Sequence, residues 1–211
     1  MDENYDNYLI LDKFNVPRET FLELDEFKEL ILEKSKEINL ISPKTINNLK
    51  NRHIIDCAQV IDLIDINSKT CTDIGSGAGL PGIVLSIILK SKKIAMKMNL
   101  YEKSYHKSNF LRDVSKKFDL NTKIFNKNIF EEKNLTTDVI VARAFKPLPV
   151  VLDLANKNFK RFKNIILYMG KNGKQILMES LSNWKFEYKE KKSLTSEDSF
   201  LIKINNLKKK I

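Results

Sequence analysis

Residues 73–82 read DIGSGAGLPG, and this stretch decides the fold. It holds four of the 6 glycines in the chain. It overlaps the end of residues 70–74, which predict a buried strand, and it leads into residues 80–89, which predict a helix. Glycines at such a junction let the backbone turn sharply and let a ligand approach closely. A glycine-rich strand–turn–helix unit is typical of nucleotide-type binding loops.

Strands and helices alternate on the carboxyl side of this stretch. Strand-like runs cover residues 96–102, 122–126, 138–142 and 165–169, and helical patterns cover residues 104–118 and 147–159. Two further strand-like runs, near residues 184–188 and 200–204, predict an antiparallel edge hairpin. The alternation predicts an α/β fold, with a doubly wound, mostly parallel seven-stranded sheet and helices on both faces. Ligands of such sheets bind beyond the carboxyl ends of the strands.

The amino-terminal side of the stretch is helical in pattern. Thr20 and Glu23 fit a capping box that opens a helix over about residues 21–38. A second helical pattern covers residues 48–64, and no linker rich in Pro, Gly or Ser separates it from the rest. We therefore expect residues 1–66 to form a helical extension packed on the core. Residues 67–211 are expected to form one compact ligand-binding domain.

Length and composition limit the protein class. The 211 residues are 42% hydrophobic, which is ordinary for a globular chain of one α/β domain with an extension. The two cysteines, Cys57 and Cys71, exclude a disulfide scaffold and a cysteine-rich zinc module, and we predict no metal site. The acidic start and the lack of a long apolar run predict no signal peptide and no membrane span. We expect a cytoplasmic protein.

The charge balance is basic. Lys and Arg total 37 against 27 Asp and Glu, a net charge of +10 that is compatible with a polyanionic partner. The chain has 32 Lys, 21 Asn and 24 Ile but only 5 Arg, so a general compositional drift explains much of the surplus. The few arginines are therefore informative, because Lys does not replace Arg where a planar fork must bind. Arg52 and Arg143 each lie beside a motif.

The glycine stretch fits two ligand classes. Read from Gly77, it matches the G-x-G-x-x-G dinucleotide fingerprint. Read from Asp73, it matches D-x-G-x-G-x-G and resembles motif I of S-adenosylmethionine-dependent methyltransferases. Asp73 favours the second interpretation, because a carboxylate repels a pyrophosphate, whereas it suits an ammonium group. Glu102, at the end of the next predicted strand, is expected to accept hydrogen bonds from ribose hydroxyls under either interpretation.

Other candidate residues follow the third and fourth predicted strands and the second helical pattern. Ile129 and Phe130 are expected to hold an adenine ring, although a plain core role fits the pattern nearly as well. Arg143 lies where the fourth predicted strand leaves the sheet. His53 is a candidate general base or a structural polar residue, and Asp56 is spaced to pair with the arginine four residues before it. No acid–base dyad or nucleophilic triad is evident in the sequence.

Together these segments resemble the glucose-inhibited division protein B family, also called ribosomal RNA small subunit methyltransferase G. The resemblance covers about residues 21–204. It rests on Asn39-Leu40 with Ser42, on RHIID at residues 52–56, on the glycine stretch, and on ARAF at residues 142–145. The GLPG ending of the stretch and the Arg-Ala-Phe element are more selective than a lone glycine loop.

The resemblance implies a Rossmann-like class I methyltransferase that methylates N7 of one guanine in the decoding region of 16S rRNA. The methyl donor would be S-adenosylmethionine, and the product S-adenosylhomocysteine. The loop pattern and the resemblance together predict cofactor contacts at Asp73, Gly75, Gly77, Gly79, Leu80, Glu102, Ile129, Phe130 and Arg143. Arg52 and His53 fall near the substrate face. The family usually has Lys-Gly after its fifth strand, whereas this chain has Met169-Gly170-Lys171, so Lys171 is the candidate substitute on the substrate side.

The implied chemistry needs little proton transfer. Guanine N7 carries a lone pair and no proton, so catalysis is expected to depend on positioning, without an essential general base. The expected partner is 16S rRNA or a small ribosomal subunit precursor, with no membrane, and the protein is expected to be a monomer. Three alternatives stay open: a related methyltransferase acting on a protein or small molecule, a nicotinamide-dependent oxidoreductase, and a non-catalytic RNA-binding module.

Overall fold

The computed structural model describes residues 9–42 and 49–210, and of residues 9 and 50–52 it describes the backbone alone. Within these residues, seven strands form one sheet in the order β3-β2-β1-β5-β7-β9-β8. The strands are β1 (Thr70–Ile74), β2 (Lys97–Tyr101), β3 (Thr122–Phe125), β5 (Val139–Ala142), β7 (Asn164–Met169), β8 (Trp184–Lys192) and β9 (Phe200–Lys209). Two short parallel strands, β4 (Leu135–Thr136) and β6 (Phe159–Arg161), pair separately. The predicted doubly wound seven-stranded sheet is confirmed.

Parallel pairing in the middle of the sheet determines where a ligand can bind. Strands β1, β2, β3, β5 and β7 run parallel, and β9 and β8 add the predicted antiparallel hairpin at one edge. Strand β1 lies between β2 and β5, and the chain leaves it in one direction for β2 and β3 and in the other for β5 and β7. The carboxyl end of β1 is therefore the topological switch point, where open α/β sheets bind ligands.

Helices cover both faces of the sheet, as predicted. They are α1 (Thr20–Lys34), α2 (Gly82–Ser91), α3 (Tyr105–Lys117), α4 (Leu148–Asn158) and α5 (Gly173–Asn183). Alternate residues of β5 enter different cores: Val139 and Val141 join α1, α2 and α3, whereas Ile140 and Ala142 join α4 and α5. This alternation follows from the two-residue period of a strand. In the described part of the chain, no helix has the length and apolarity needed to cross a membrane.

The amino-terminal helical region shares a core with the sheet. Phe21, Leu24, Phe27 and Ile31 of α1 are fully buried in the same cluster as the apolar residues of α2. Residues 50–63 continue as a π-helical turn (Lys50–Ile55), a short α-helix (Asp56–Ala58) and a 3-10 helix (Gln59–Leu63). This irregular helical segment buries Cys57, and Cys71 is buried in β1.

The first helix begins within one residue of its predicted start, but the predicted capping box and the predicted end are wrong. No side chain caps α1, and Thr20 lies inside the helix rather than at its cap. The amide of Thr20 donates to the carbonyl of Pro17 at 3.0 Å, so a preceding backbone turn satisfies a donor that the capping box would have served. At the other end α1 stops at Lys34, and the chain continues in turns that bring Ile38 against the core.

One further helix boundary and one whole helix differ from the sequence prediction. Helix α2 begins at Gly82 rather than at residue 80, because the amides of Gly79 and Leu80 both donate to the carbonyl of Ser76 and form a turn. Helix α5 was not predicted at all. It buries only Gly173, Leu177 and Ser180, so it carries no apolar stripe that a sequence pattern would reveal.

Candidate active site

The loop after β1 needs its glycines. Gly75, Gly77 and Gly79 have φ values of +76°, +57° and +89°, in the left-handed region where a Cβ is unfavourable. A Cβ on Gly75 would lie 2.2 Å from Cδ2 of Phe145. The amides of Gly75 and Ser76 both donate to the carbonyl of Tyr101 at 2.9 Å, which holds the loop against the end of β2. The loop is therefore tightly turned and carries little side-chain bulk.

Asp73 lies beneath this loop. Its side chain is 1% exposed, and its Oδ2 accepts a hydrogen bond of 3.0 Å from the amide of Gly82, at the start of α2. Burial raises the pKa of this carboxyl to about 7, against the opposing effect of the Gly82 amide. Its Oδ1 has no hydrogen-bond partner among the described residues. In this structure Asp73 anchors the loop to the helix, and its predicted contact with a cofactor ammonium stays a prediction.

Glu102 braces the loop from the end of β2. Its Oε2 accepts a 2.9 Å hydrogen bond from the amide of Gly77, and its Oε1 accepts a 2.7 Å bond from the amide of Ser104. Ser104 in turn caps α3, because its hydroxyl accepts from the amide of Lys107. Amides on both carboxylate oxygens fix the orientation of Glu102 at the wall of a cavity.

A cavity of about 780 Å³, the glycine-loop cavity, lies over the carboxyl ends of β1 and β2. Seven of the nine predicted cofactor residues line it: Gly75, Gly77, Leu80, Glu102, Ile129, Phe130 and Arg143. Asp73 and Gly79 do not line it; they shape the loop from below. The walls also include Leu40 and Ser42 of the amino-terminal region and Phe145 of the ARAF element. Four lysines that the sequence analysis did not single out line it too, Lys103, Lys107, Lys127 and Lys146.

The segment expected to hold adenine is a 3-10 turn, Ile129–Glu131. Ile129 is 3% exposed and Phe130 is 38% exposed, and the ring of Phe130 stacks on that of Phe145 with centroids 5.8 Å apart. The Nδ2 of Asn158, a buried residue at the end of α4, donates to the carbonyls of Ile129, Phe130 and Glu132 at 3.2, 3.0 and 2.6 Å. Asn158 fixes this turn, and no local sequence pattern indicated that role.

Arg143 joins the end of β5 to the helical segment 50–63. Its Nε donates to Oδ2 of Asp56 at 2.9 Å, and its Nη1 lies 2.8 Å from Nδ1 of His53. An arginine only donates, so Nδ1 of His53 accepts and the neutral ring carries its proton on Nε2. The guanidinium carbon also lies 5.7 Å from the centroid of the Tyr168 ring. The side chain of Arg52, the expected partner of Asp56, lies outside the described part of the chain, and the bond to Arg143 was not predicted.

Two further cavities adjoin the first on the side of β5 and β7. The hairpin cavity, about 750 Å³, lies between Arg143 and the hairpin loop 193–199 that joins β8 to β9. The Lys171 cavity, about 360 Å³, lies between the loops that follow β5 and β7. Ala144 lines all three cavities and has a φ of +50°, an uncommon conformation for a residue with a Cβ. The three cavities therefore meet at the residue after Arg143.

The structure brings most predicted site residues to one edge of the sheet. His53 lines both the glycine-loop cavity and the hairpin cavity, and Lys171 lines the third. Among the described residues, no group of His, Cys, Asp and Glu side chains has the arrangement of a metal site. Strand ends, a carboxylate held by two amides and an open cavity suit a ligand with a ribose and a flat base.

The chain resembles known proteins over its full length. The family described as rRNA small subunit methyltransferase G matches residues 21–201. A protein of that name from Pelagibacter ubique is 52% identical over 212 residues, which cover 100% of each chain. One from Rickettsia rickettsii is 36% identical over 196 residues, 93% of this chain and 99% of that one. Among solved structures, a SAM-dependent methyltransferase from Aquifex aeolicus shares the fold, with a TM-score of 0.57 at 14% identity, covering 78% of this chain and 98% of that one.

Proposed function

The chain belongs to the rRNA small subunit methyltransferase G family, and from that premise we propose that it transfers a methyl group from S-adenosylmethionine to N7 of a guanine in the decoding region of 16S rRNA. One observation carries the proposal. The glycine-loop cavity meets the hairpin cavity and the Lys171 cavity at Ala144. It is bounded by the glycine loop, by Glu102 and by the exposed Phe130. This arrangement offers the donor and the acceptor adjoining compartments, and Ala144 is the residue that lines all three cavities.

The residues of the glycine-loop cavity fit S-adenosylmethionine. Glu102, which already accepts two amide hydrogen bonds, faces the cavity with a carboxylate suited to ribose hydroxyls. Phe130 offers a ring face for adenine, and Gly77, which has mostly open space where a Cβ would lie, leaves room for the aminocarboxylate end beside the loop. When bound, the cofactor supplies an electrophilic methyl group on a positively charged sulfur.

The protein's own contribution is positioning. N7 of guanine has a free lone pair, so the residues at Ala144 need only exclude water and align the base with the methyl group. His53 is not arranged as a base, because its Nδ1 accepts from Arg143 and its Nε2 carries the proton of the neutral ring. The positive charge of Arg143 is held by Asp56, which limits its repulsion of the cationic methylated guanine.

Lysines surround the entrance to these cavities. Lys103, Lys107, Lys127 and Lys146 line the glycine-loop cavity, and Lys171 lines the cavity beyond Ala144. We assign them to phosphates of the RNA, with Lys171 on the acceptor side. N7 is inaccessible in the deep, narrow major groove of A-form RNA, so the target guanine must lie in a loop or an unpaired junction. Phosphate contacts make the affinity fall as salt rises. We further propose a cytoplasmic monomer.

Transfer of a tritiated methyl group tests this function. Undermethylated small-subunit RNA and assembled small subunits are each incubated with the protein and labelled S-adenosylmethionine, and digested nucleosides are then separated. Label in 7-methylguanosine is expected. Label in protein would instead support a methyltransferase with another acceptor, and label on another base would refute the N7 assignment. Calorimetry with S-adenosylhomocysteine and with NAD separates the two cofactor classes, and only the former is expected to bind.

A further inference from the structure

Both oxygens of the Asp56 carboxylate are used, and they serve different parts of the molecule. Oδ2 accepts the 2.9 Å hydrogen bond from Nε of Arg143, at the end of β5. Oδ1 accepts a 3.0 Å bond from the hydroxyl of Thr195 and a 3.4 Å bond from that of Ser193, both in the hairpin loop 193–199. The carboxylate therefore connects a residue that walls the glycine-loop cavity with the loop that walls the hairpin cavity.

Gln59 strengthens the connection to the loop. It is fully buried one turn after Asp56, and its Nε2 donates to Oδ1 of Asp56 at 2.7 Å. Its Oε1 accepts a 3.0 Å bond from the backbone amide of Leu194. Backbone and hydroxyl donors of the loop thus both attach to the 50–63 helical segment, and this fixes the loop's position over the hairpin cavity.

The connection to Arg143 is a charge-assisted hydrogen bond in partly buried surroundings. The side chains of Arg143 and Asp56 are 14% and 13% exposed. Such bonds are stronger and more directional than neutral ones, because little water competes for the two groups. Without the carboxylate, the guanidinium would keep its Nη1 contact with His53 but lose the bond that fixes its Nε.

We propose that Asp56 is a positioning residue whose single carboxylate orients both sides of the active site. It holds Arg143 in place beside the cofactor, and it holds the hairpin loop in place beside the acceptor nucleotide. The proposal rests on the proposed function, and it assigns the hairpin cavity, which adjoins the Lys171 cavity at Ala144, to the acceptor nucleotide as well. Asp56 borders the hairpin cavity, but both of its carboxylate oxygens are bound by protein groups, so it acts through Arg143 on one side and through Ser193 and Thr195 on the other. A substitution can therefore weaken the connection to the hairpin loop and leave the connection to Arg143 intact.

Two substitutions separate the connections. Thr195→Val keeps the side-chain shape and removes the hydroxyl donor, so it weakens the loop connection and leaves the Asp56–Arg143 pair intact. Asp56→Asn removes the charge and weakens both. Asp62→Asn is the matched control: Asp62 also joins the helical segment to the hairpin, through a 2.8 Å bond with Nζ of Lys191, but it contacts neither Arg143 nor the loop.

The dissociation constant for S-adenosylhomocysteine, kcat, and KM for RNA are measured for each variant, with thermal unfolding recorded alongside. We expect Thr195→Val to raise the RNA KM about tenfold with an unchanged cofactor Kd. We expect Asp56→Asn to raise both about tenfold. Adding Thr195→Val to Asp56→Asn should raise the RNA KM little further, because the loop has already lost its charged acceptor. Asp62→Asn should leave both constants at the wild-type values.

Three outcomes would overturn the proposal: an unchanged RNA KM in Thr195→Val, an unchanged cofactor Kd in Asp56→Asn, or fully additive effects in the double variant. If Asp56→Asn does not fold, Ser193→Ala with Thr195→Val decides the matter, because only a raised RNA KM with an unchanged cofactor Kd supports the proposal. Wild-type protein that binds cofactor but labels no RNA would refute the proposed function instead, and the cofactor Kd of Asp56→Asn would still test the connection to Arg143.

Discussion

Asp73 makes the stability of the protein depend on pH in an unusual direction. Its pKa, raised by burial to about 7 from an ordinary value of 3.8, lies above that of the unfolded chain. Between these values the folded protein holds a proton that the unfolded chain has released. The free energy of unfolding therefore falls as pH rises, by about 1.4 kcal/mol per pH unit from this group. The contribution that is present at acidic pH is lost above about pH 7, a total of about 4 kcal/mol.

Asp73→Asn removes the titration and keeps an oxygen for the Gly82 amide. Urea unfolding of both proteins is followed from about pH 5 to pH 8. The stability of the wild type relative to the variant is expected to fall by about 3 kcal/mol over this range, with most of the change below pH 7. Comparison with the variant cancels the titration of every other group, so the difference reports on Asp73 alone.

Asp138→Asn provides a control of opposite sign. Although burial opposes the effect, hydrogen bonds from the amides of Lys69 and Thr70 and an ion pair with Lys163 lower the pKa of Asp138. The stability that this carboxylate contributes is therefore lost as pH falls. The wild type should lose stability relative to Asp138→Asn on acidification, and relative to Asp73→Asn on alkalinisation. A constant difference between wild type and Asp73→Asn across the range would refute the reasoning, because it would mean that Asp73 is ionised at neutral pH like a surface carboxylate.

Three further substitutions test the walls of the glycine-loop cavity. Gly75→Ala places a Cβ 2.2 Å from Phe145 at a φ of +76°, so it should destabilise the protein by at least about 1–2 kcal/mol in urea unfolding, and unchanged stability would contradict this geometry. Asn158→Ala removes three hydrogen bonds to the 129–132 turn; it should lower stability by about 1–3 kcal/mol and weaken S-adenosylhomocysteine binding in calorimetry, and wild-type affinity would show that the turn holds without it. Glu102→Gln should raise the Kd for S-adenosylhomocysteine about tenfold. The glutamine side chain has one accepting oxygen, which cannot serve the backbone amides of Gly77 and Ser104 and also two ribose hydroxyls. An unchanged Kd would remove Glu102 from the site.

The sequence predicted the sheet well because its central strands are buried on both faces. Strand β1 was predicted at its observed bounds, and β5 and β7 to within one residue at their amino-terminal ends. Strands β5 and β7 were recognisable because buried parallel strands appear as continuous apolar runs. Helix boundaries were less accurate. Helix α1 begins after a backbone turn rather than at a side-chain cap, and α5 buries too few apolar residues to form a stripe.

Site residues that lie at the ends of strands were predictable from the sequence. Contacts between residues that are far apart in the chain were not. The glycine stretch, Glu102 and Phe130 each follow a predicted strand, and all border one cavity. The bond between Asp56 and Arg143 joins residues 87 positions apart, and a local pattern favoured a partner four residues away instead. The lysines at the cavity entrance were hidden by composition, because a chain with 32 lysines gives no single one a distinctive signal.

The open edges of the sheet give some of those lysines a different purpose. Strand β8 lies at one edge and presents exposed Lys185, Lys189 and Lys192, and Lys123 is exposed on β3 at the opposite edge. An unpaired edge strand is a template on which a second molecule can extend the sheet, and charged side chains along it oppose that addition. Part of the basic surplus therefore protects the folded protein from aggregation at high concentration. Replacing the edge lysines with threonine is expected to lower the solubility of the protein more than it lowers the methyl-transfer activity.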